Sequence, residues 1–276
     1  MASIESRISG DLEWAEAGNA SRRTFSGIAL SVLMHRLSNH NKRCSPLESA
    51  GLWTYRRPAG GGLVEIGTVQ GREVALPPHL HDEDQLVFVV AGQRRFLIGE
   101  TVRCARAGQA TLIPAGTPHR SLSESSDVVC INLYLAPGCY AVDNLMADLS
   151  RRWRCGPGLD ESSLLWLVDA HQIATPEPFA TNAGEGLCDV RPGPVWQAAR
   201  AAGLSREGYS RRFTQLHSIP PATFRMLMQL NVARRLLRAG QPIAAVAAET
   251  GFSDQSHLGR CFRRFFGVTP GRYRAG

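Results

Sequence analysis

Two histidines stand two residues apart in the segment LPPHLHDEDQLVFVVAGQRRFLIGE, residues 76 to 100. Apolar and polar residues alternate in this segment, as in a β-strand, and residues i and i+2 of a strand project from the same face. His79 and His81 are therefore expected to face one pocket, with Gln85 just beyond them. Neutral imidazoles in a pocket can bind a metal ion or form hydrogen bonds to a small molecule. The acidic turn at 82–84 is expected to be a solvated tip.

The elements that must position these histidines are short strands. Alternating segments separated by glycine and proline run from about Leu52 to Leu135, which predicts an all-β barrel or sandwich. A helix is predicted at about 160–173, with an inward stripe of Leu164, Leu167, Val168 and His171. The Pro- and Gly-rich residues 174–194 are typical of a linker, and residues 1–50 are expected to form a helix and a poorly ordered tip.

Length and composition predict two globular domains of ordinary size. The longest apolar runs are far shorter than the roughly 20 residues that a membrane span needs. The first 23 residues mix both charge signs and have no apolar core of a secretory signal. The seven cysteines are odd in number and form no C-x-x-C pair, which favours reduced thiols and a cytoplasmic location.

Charge is unevenly distributed along the chain. Residues 191–276 hold 14 arginines, no lysine and three acidic residues, a net charge of +11, whereas the rest holds 17 basic and 21 acidic residues, a net charge of −4. This division indicates that the C-terminal part binds a polyanion.

The C-terminal part also contains an internal repeat. Residues 195–217 resemble residues 243–267, and each copy reads as a short helix, a glycine turn and a second helix opened by a capping residue. Ser205 is the expected cap in the first copy, and Ser253 or Asp254 in the second. The pattern predicts two helix-turn-helix units, 194–217 and 243–267, joined by a helix at 222–238.

Helical spacing divides the second helix of each copy into two faces. The inward faces are expected to be apolar, with Tyr209, Phe213 and Leu216 in the first copy and Leu258, Cys261, Phe262 and Phe265 in the second. The outward faces carry arginines and short polar groups, which can reach base edges and phosphates. The candidate DNA-binding residues are Glu207, Ser210, Arg211, Thr214, Gln255, Ser256, His257, Arg260 and Arg263.

The segment GFSDQSHLGRCFRRFFGVTPGRYR resembles the C-terminal signature of the AraC/XylS family of bacterial transcriptional regulators. The resemblance covers about residues 194–274 and implies that the outward faces of both recognition helices contact bases. The first copy departs from the family pattern at Gly208, Arg212, Ser218 and Gln229.

The N-terminal barrel resembles the cupin superfamily. His79, His81, Gln85 and Gly92 follow the first cupin motif, with Gln85 in place of its glutamate. Gly108, Pro114, Gly116 and His119 follow the second motif, with Ser123 in place of its asparagine. The resemblance implies that His79, His81, Gln85 and His119 form one constellation, which could line the barrel, bind a small-molecule effector, or hold a divalent metal through the three histidines.

The two resemblances together imply a multidomain fold: an all-β cupin barrel, or double-stranded β-helix, followed by an all-α domain with two helix-turn-helix motifs. The expected parts are an N-terminal extension (1–50), a sensory barrel (51–137), a helical dimerisation and linker segment (138–190) and a DNA-binding domain (191–276). The implied protein is a homodimeric regulator, activator or repressor, that binds double-stranded DNA and a small-molecule effector and acts with RNA polymerase. An effector in the barrel would shift the arrangement of the DNA-binding units. The alternatives are a cupin isomerase or dioxygenase with an auxiliary helical domain, and a DNA-binding protein whose barrel senses nothing.

Overall fold

The computed structural model describes residues 51–58, 63–155, 159–175 and 194–276. The expectations for residues 1–50, and for most of the linker at 174–194, lie outside the described residues. Nine strands come first within these ranges: β1 (Leu52–Arg56), β2 (Leu63–Gly71), β3 (Leu76–His79), β4 (Asp84–Ala91), β5 (Gln93–Ile98), β6 (Thr101–Arg106), β7 (Ala110–Ile113), β8 (His119–Ser121) and β9 (Val128–Leu135). Eight helices follow in the same part of the chain: α1 (Val142–Cys155), α2 (Glu161–Ala170), α3 (Val195–Ala201), α4 (Arg206–His217), α5 (Pro221–Arg238), α6 (Ile243–Glu249), α7 (Gln255–Phe266) and α8 (Pro270–Ala275).

The strands form two antiparallel sheets, ordered β1-β2-β9-β4-β7 and β3-β8-β5-β6. The hairpin from β4 to β5 turns at Gly92, whose φ is 75°. A Cβ at this position would overlap the carbonyl oxygen of Asp127. Only glycine accepts both the left-handed backbone and the close approach, which explains the glycine of the first cupin motif.

Strand β9 is buried along its whole length, so both of its faces are covered. One face lies inside the barrel. The other packs beneath α1 and α2, where Leu145, Leu149, Leu164 and Val168 are buried against the outer face of the larger sheet. These two helices thus close the back of the barrel. His171, expected on the inward stripe of α2, is the C-cap of that helix, and its Nε2 lies 3.0 Å from Asp148 Oδ2.

The two helix-turn-helix units are α3–α4 and α6–α7. Ser205 caps α4 by accepting a hydrogen bond from the Gly208 backbone N–H. In the second unit Asp254, rather than Ser253, caps α7 by accepting from the His257 backbone N–H. Of the expected apolar faces, Phe213, Leu258, Phe262 and Phe265 are buried, and Tyr209 and Cys261 are half-buried. Leu216 is 70% exposed, because Phe213 and His217, rather than Leu216, face Phe224 of α5. The inward placement of Leu216 was wrong.

The helical domain packs directly on the barrel, and the two share one hydrophobic core. Tyr55 of β1 donates a hydrogen bond from its hydroxyl to the Phe266 carbonyl oxygen, at 2.9 Å. Gly267, which ends α7 with a φ of 76°, lies so close to Trp53 that a Cβ would overlap the indole ring. The fold class expected from the sequence, a cupin barrel followed by a helical domain with two helix-turn-helix motifs, is confirmed.

Candidate ligand pocket and DNA-binding surface

The barrel brings together all four side chains of the expected constellation. His79 on β3 pairs with His119 on β8 in the strand register, and their ring centroids lie 4.2 Å apart. His81 follows β3, and its ring centroid lies 5.0 Å from that of His119. Gln85 on β4 places Oε1 at 2.7 Å from His81 Nε2. All four residues are buried.

Each imidazole is oriented by its own backbone. In all three rings Nδ1 lies 2.7 to 2.9 Å from a carbonyl oxygen two residues away in sequence. The pairs are His79 with Pro77, His81 with Glu83, and His119 with Thr117. Since a carbonyl only accepts, Nδ1 carries the proton and Nε2 of a neutral ring is an acceptor. The Nε2 of His119 is buried without a hydrogen-bond partner.

Burial keeps the three rings neutral. Loss of solvation, followed by the neighbouring His81, lowers the pKa of His79 to about 3. Loss of solvation is also the main cause of the lowered pKa of His81. It lowers the pKa of His119 well below its usual value. A ring that cannot gain a proton at neutral pH offers Nε2 as an acceptor for a ligand N–H or O–H.

Gln85 connects His81 to Asn132, which the sequence did not single out. The Gln85 amide nitrogen lies 2.9 Å from Asn132 Oδ1, and the Asn132 amide nitrogen has no partner. With Gln85 Oε1 beside Nε2, His81 would have to donate a hydrogen bond from both ring nitrogens. Only the positively charged imidazolium can do so, and burial opposes that form. A half-turn of both amides lets Gln85 donate to His81 and Asn132 donate to Gln85, which satisfies a neutral ring and the unpartnered amide together.

The constellation does not fit a bound metal ion. The Nδ1–H bonds to carbonyl oxygens do leave the Nε2 lone pairs that a metal would require. Among the described residues, however, no group of three or more His, Cys, Asp or Glu side chains has a spacing that could hold a metal ion. The fourth position is a neutral amide already hydrogen-bonded on both sides.

The helical domain closes the pocket. Arg234 of α5 and Phe265 and Phe266 of α7 line it together with the barrel residues, and about 10 Å³ of free space remains between them. This space is about the least that can hold one water molecule. A larger ligand can therefore enter the cavity only if some of the side chains that line it move.

The acidic turn is not a solvated tip, and the prediction for it was wrong. Asp82 and Glu83 are buried, and Asp84 is half-buried and accepts a hydrogen bond from the Ala115 backbone N–H. Glu65 of β2 is also buried beside Glu83. We call Glu65, Asp82 and Glu83 the carboxylate rim.

The carboxylate rim binds three arginines of α5. Arg234 Nη2 lies 2.5 Å from Glu65 Oε2, Arg238 Nη2 lies 2.6 Å from Glu83 Oε1, and Arg235 pairs with Asp82. Asn231 of the same helix donates to Asp82. The two domains are thus joined by charged groups as well as by apolar packing. A signal for this contact is present in the sequence, namely three closely spaced arginines in the helix between the two repeats.

The first candidate DNA-binding face lies on α4. Phe213 is buried on the inner side, whereas Glu207 and Arg211 are exposed and Ser210 and Thr214 are half-buried. These four expected residues line one open surface depression together with Arg206 and Gln215.

The second candidate face lies on α7, whose inner side is fixed by the buried Leu258, Phe262, Phe265 and Phe266. The expected outer residues are Gln255, Ser256, His257, Arg260 and Arg263; all are exposed except His257, which is half-buried. The His257 ring packs on Phe252, with centroids 5.3 Å apart. Both recognition helices thus present a polar, arginine-bearing side to solvent.

Comparisons with known proteins identify both domains. Residues 198–276 match a helix-turn-helix domain family, and residues 66–134 match the cupin domain family. No described helix is long and apolar enough to cross a membrane. The chain therefore carries a cupin domain followed by an AraC-type helix-turn-helix domain, as the two sequence resemblances implied.

The relatives that the chain matches are named as regulators. It is 29% identical over 87 residues, 30% of this chain and 31% of the relative, to the RCS-specific HTH-type transcriptional activator RclR of Escherichia coli. It is 33% identical over 75 residues, 27% of this chain and 25% of the relative, to the HTH-type transcriptional regulator MtrA of Neisseria gonorrhoeae. A crystal structure of a transcriptional regulator from Chromobacterium violaceum with an AraC-type DNA-binding domain matches at 30% identity, over 30% of this chain and 76% of that one, with a TM-score of 0.29. The matches thus span only about a quarter to a third of the two curated relatives.

Proposed function

We propose that the chain is a DNA-binding transcriptional regulator whose cupin barrel senses a small molecule. One observation carries this proposal: two helix-turn-helix units, each with a buried apolar back, expose arginines on the outer sides of α4 and α7. Arginine reads guanine edges and neutralises phosphates, and short polar neighbours permit close approach to the major groove. The regulators among its relatives support this function over a cupin isomerase or dioxygenase.

The DNA-binding charge is smaller than the sequence count suggests. Arg234, Arg235 and Arg238 are committed to the carboxylate rim and are not free to bind phosphate. The arginines available to DNA are those on the exposed sides of the remaining helices, among them Arg211, Arg260 and Arg263.

Two features support a homodimer formed through the helices behind the barrel. Trp166 on α2 is 64% exposed and Ile173, just after α2, is 67% exposed. Large apolar side chains exposed to solvent in one segment are candidates for an interaction surface. We further propose that the dimer acts in the cytoplasm, where it addresses adjacent half-sites and recruits or blocks RNA polymerase.

The barrel is the proposed effector site. The neutral imidazoles of His79 and His81 and the amides of Gln85 and Asn132 supply hydrogen-bonding groups in a cavity that aromatic rings also line. The unpartnered Nε2 of His119 belongs to the ring that packs on His79. Because Arg234, Phe265 and Phe266 close this pocket, an effector that enters it would change the contact between the two domains.

The DNA-binding part is tested by fluorescence anisotropy with the full chain and labelled duplex DNA. Affinity should fall steeply between 50 and 200 mM salt, by about tenfold for every two phosphates neutralised. The double variant Arg211→Gln and Arg260→Gln, which removes one exposed arginine from each recognition helix, is compared with the wild type. Its affinity should depend less steeply on salt. Failure to bind any duplex even at low ionic strength would overturn the proposal.

A further inference from the structure

The guanidinium of Arg234 occupies a site that the barrel builds around it. The side chain is 2% exposed, and it donates to Glu65 at 2.5 Å and lies 3.6 Å from Glu83. Its Cζ lies 4.8 Å from the ring centroid of Tyr134 and 6.0 Å from that of Tyr55. Carboxylates together with aromatic faces form the combination that recognises organic cations. These four groups belong to the barrel. The cation belongs to the helical domain, as do Phe266 and Tyr273, whose ring centroids lie 5.0 and 5.8 Å from the same Cζ.

The barrel supplies no cation of its own to these carboxylates. Among the described residues, every ion pair of the carboxylate rim is made by an arginine of α5. The buried arginine of the barrel, Arg94, is paired instead with Glu124 and with the carbonyl oxygens of Leu122 and Val74. Without α5 the rim would therefore be a negatively charged opening with no internal counter-charge.

The same guanidinium closes the barrel. Arg234 lines the small cavity beside His79, His81 and Gln85, so a ligand that fills this cavity and extends to its opening takes the place of Arg234. A neutral or anionic ligand would then leave Glu65, whose other cation Arg238 lies 3.6 Å away, buried without its nearest counter-charge, and Glu83 with Arg238 alone, which is unfavourable. A ligand that brings a guanidinium or ammonium group would replace the charge it displaces.

We propose that the barrel opening is a binding site for a small organic cation, a guanidinium or alkylammonium compound, and that Arg234 is its internal occupant. This inference rests on the proposed function, since it names the chemical class of the effector. The ligand cation lies between Glu65 and Glu83 and against Tyr134, and the rest of the ligand points toward the histidines. Binding displaces α5 from the carboxylate rim and loosens the helical domain from the barrel.

The first test uses the full-length Arg234→Met variant, which keeps a long apolar stem and removes the charge. We expect isothermal titration calorimetry to show that n-butylguanidinium binds this variant about tenfold or more tightly than the wild type, because the tethered competitor is gone. The nearly isosteric and neutral n-butylurea should not bind. Adding Glu65→Gln to Arg234→Met should abolish binding, whereas adding Asp127→Asn, an exposed carboxylate paired with Arg72, should not. Equal binding of the two compounds, or binding that survives Glu65→Gln, would overturn the proposal.

The second test uses the wild type and does not depend on the folding of the variant. Trp53 is 6% exposed where it packs against Gly267 at the domain contact. The emission of Trp53 is obtained as the difference between the wild type and the Trp53→Phe variant. Millimolar n-butylguanidinium should increase the quenching of this emission by acrylamide, and n-butylurea should not. Unchanged quenching together with no calorimetric binding to folded Arg234→Met would refute the cation site. Neither titration contains DNA, so its outcome is independent of whether the chain binds a duplex.

Discussion

Arg234 and Glu65 lie 169 residues apart in the sequence, yet their side chains form a hydrogen bond of 2.5 Å in the buried contact between the two domains. Tyr273 completes the contact: its hydroxyl donates to the same Glu65 oxygen at 2.9 Å and accepts from Arg234 Nε at 3.3 Å. Arg234 and Tyr273 thus share Glu65 Oε2 where water does not reach, while Glu65 Oε1 has no hydrogen-bond partner among the described residues. A buried charge held in this way is costly to leave alone, and this cost determines what its removal does.

Replacing Arg234 with methionine should destabilise the contact between the domains by about 3–5 kcal/mol, because Glu65 loses its main counter-charge while remaining buried. Urea unfolding monitored by circular dichroism measures the change. Arg72→Met is the matched control, since Arg72 pairs with Asp127 at the surface, and its loss should cost no more than about 1 kcal/mol. Equal losses in the two variants would show that the buried pair has no special weight.

The contact between the domains should weaken in acid through Glu83. Burial has the largest single effect on this carboxyl, and it raises the pKa. Arg234 and Arg238 together outweigh burial and lower the pKa from 4.5 to about 2. Since the folded pKa is the lower one, the stabilisation is complete above pH 4.5 and is lost as the pH falls toward 2, by at most about 1.4 kcal/mol per pH unit. Urea unfolding of wild type and Glu83→Gln across this range measures it. The variant should lack this part of the pH dependence, and identical slopes would contradict the assignment.

His79 should give a second acid transition at higher pH. Its pKa falls from 6.5 to about 3, through burial first and the nearby His81 second. The unfolded chain therefore gains a proton below pH 6.5 that the folded chain does not, so stability is complete above pH 6.5 and declines toward pH 3, by up to about 1.4 kcal/mol per pH unit. We expect His79→Gln to have a flatter pH profile of unfolding free energy between pH 6.5 and 4.5, where Glu83 contributes little. A profile unchanged by the substitution would show that His79 titrates normally.

The sequence predicted what local spacing and motif can specify. The i and i+2 spacing of His79 and His81, and the second motif with His119, correctly placed three rings in one pocket. Helical spacing correctly divided α7 into its buried and exposed sides, but it misplaced Leu216, because spacing gives the direction of a side chain on its own helix and not where the neighbouring helix packs.

The carboxylate rim could not be found in this way. An acidic turn next to a strand is usually solvated, and Asp82 is buried only because Arg235, 153 residues later, reaches it. Glu65 gives no local signal, since one acidic residue in an alternating strand is also what an exposed position would show. Contacts between domains depend on the docking of whole surfaces, and no local period of the sequence describes that docking.

Arg260 is an exposed arginine on the outer side of α7, and its substitution tests whether this helix recognises bases. Arg260→Ala should reduce discrimination between a selected duplex site and its single-base variants by about 1–3 kcal/mol if the guanidinium binds a base edge. The measurement is competition anisotropy with the full chain, on a site first selected from random duplexes. Arg272→Ala on α8 is the matched control, because it removes an equally exposed charge outside the recognition helix and should weaken all duplexes alike. If Arg260→Ala lowers affinity for every duplex by the same factor, Arg260 binds phosphate, and any base recognition by α7 then depends on its other outer residues, Gln255, Ser256, His257 and Arg263.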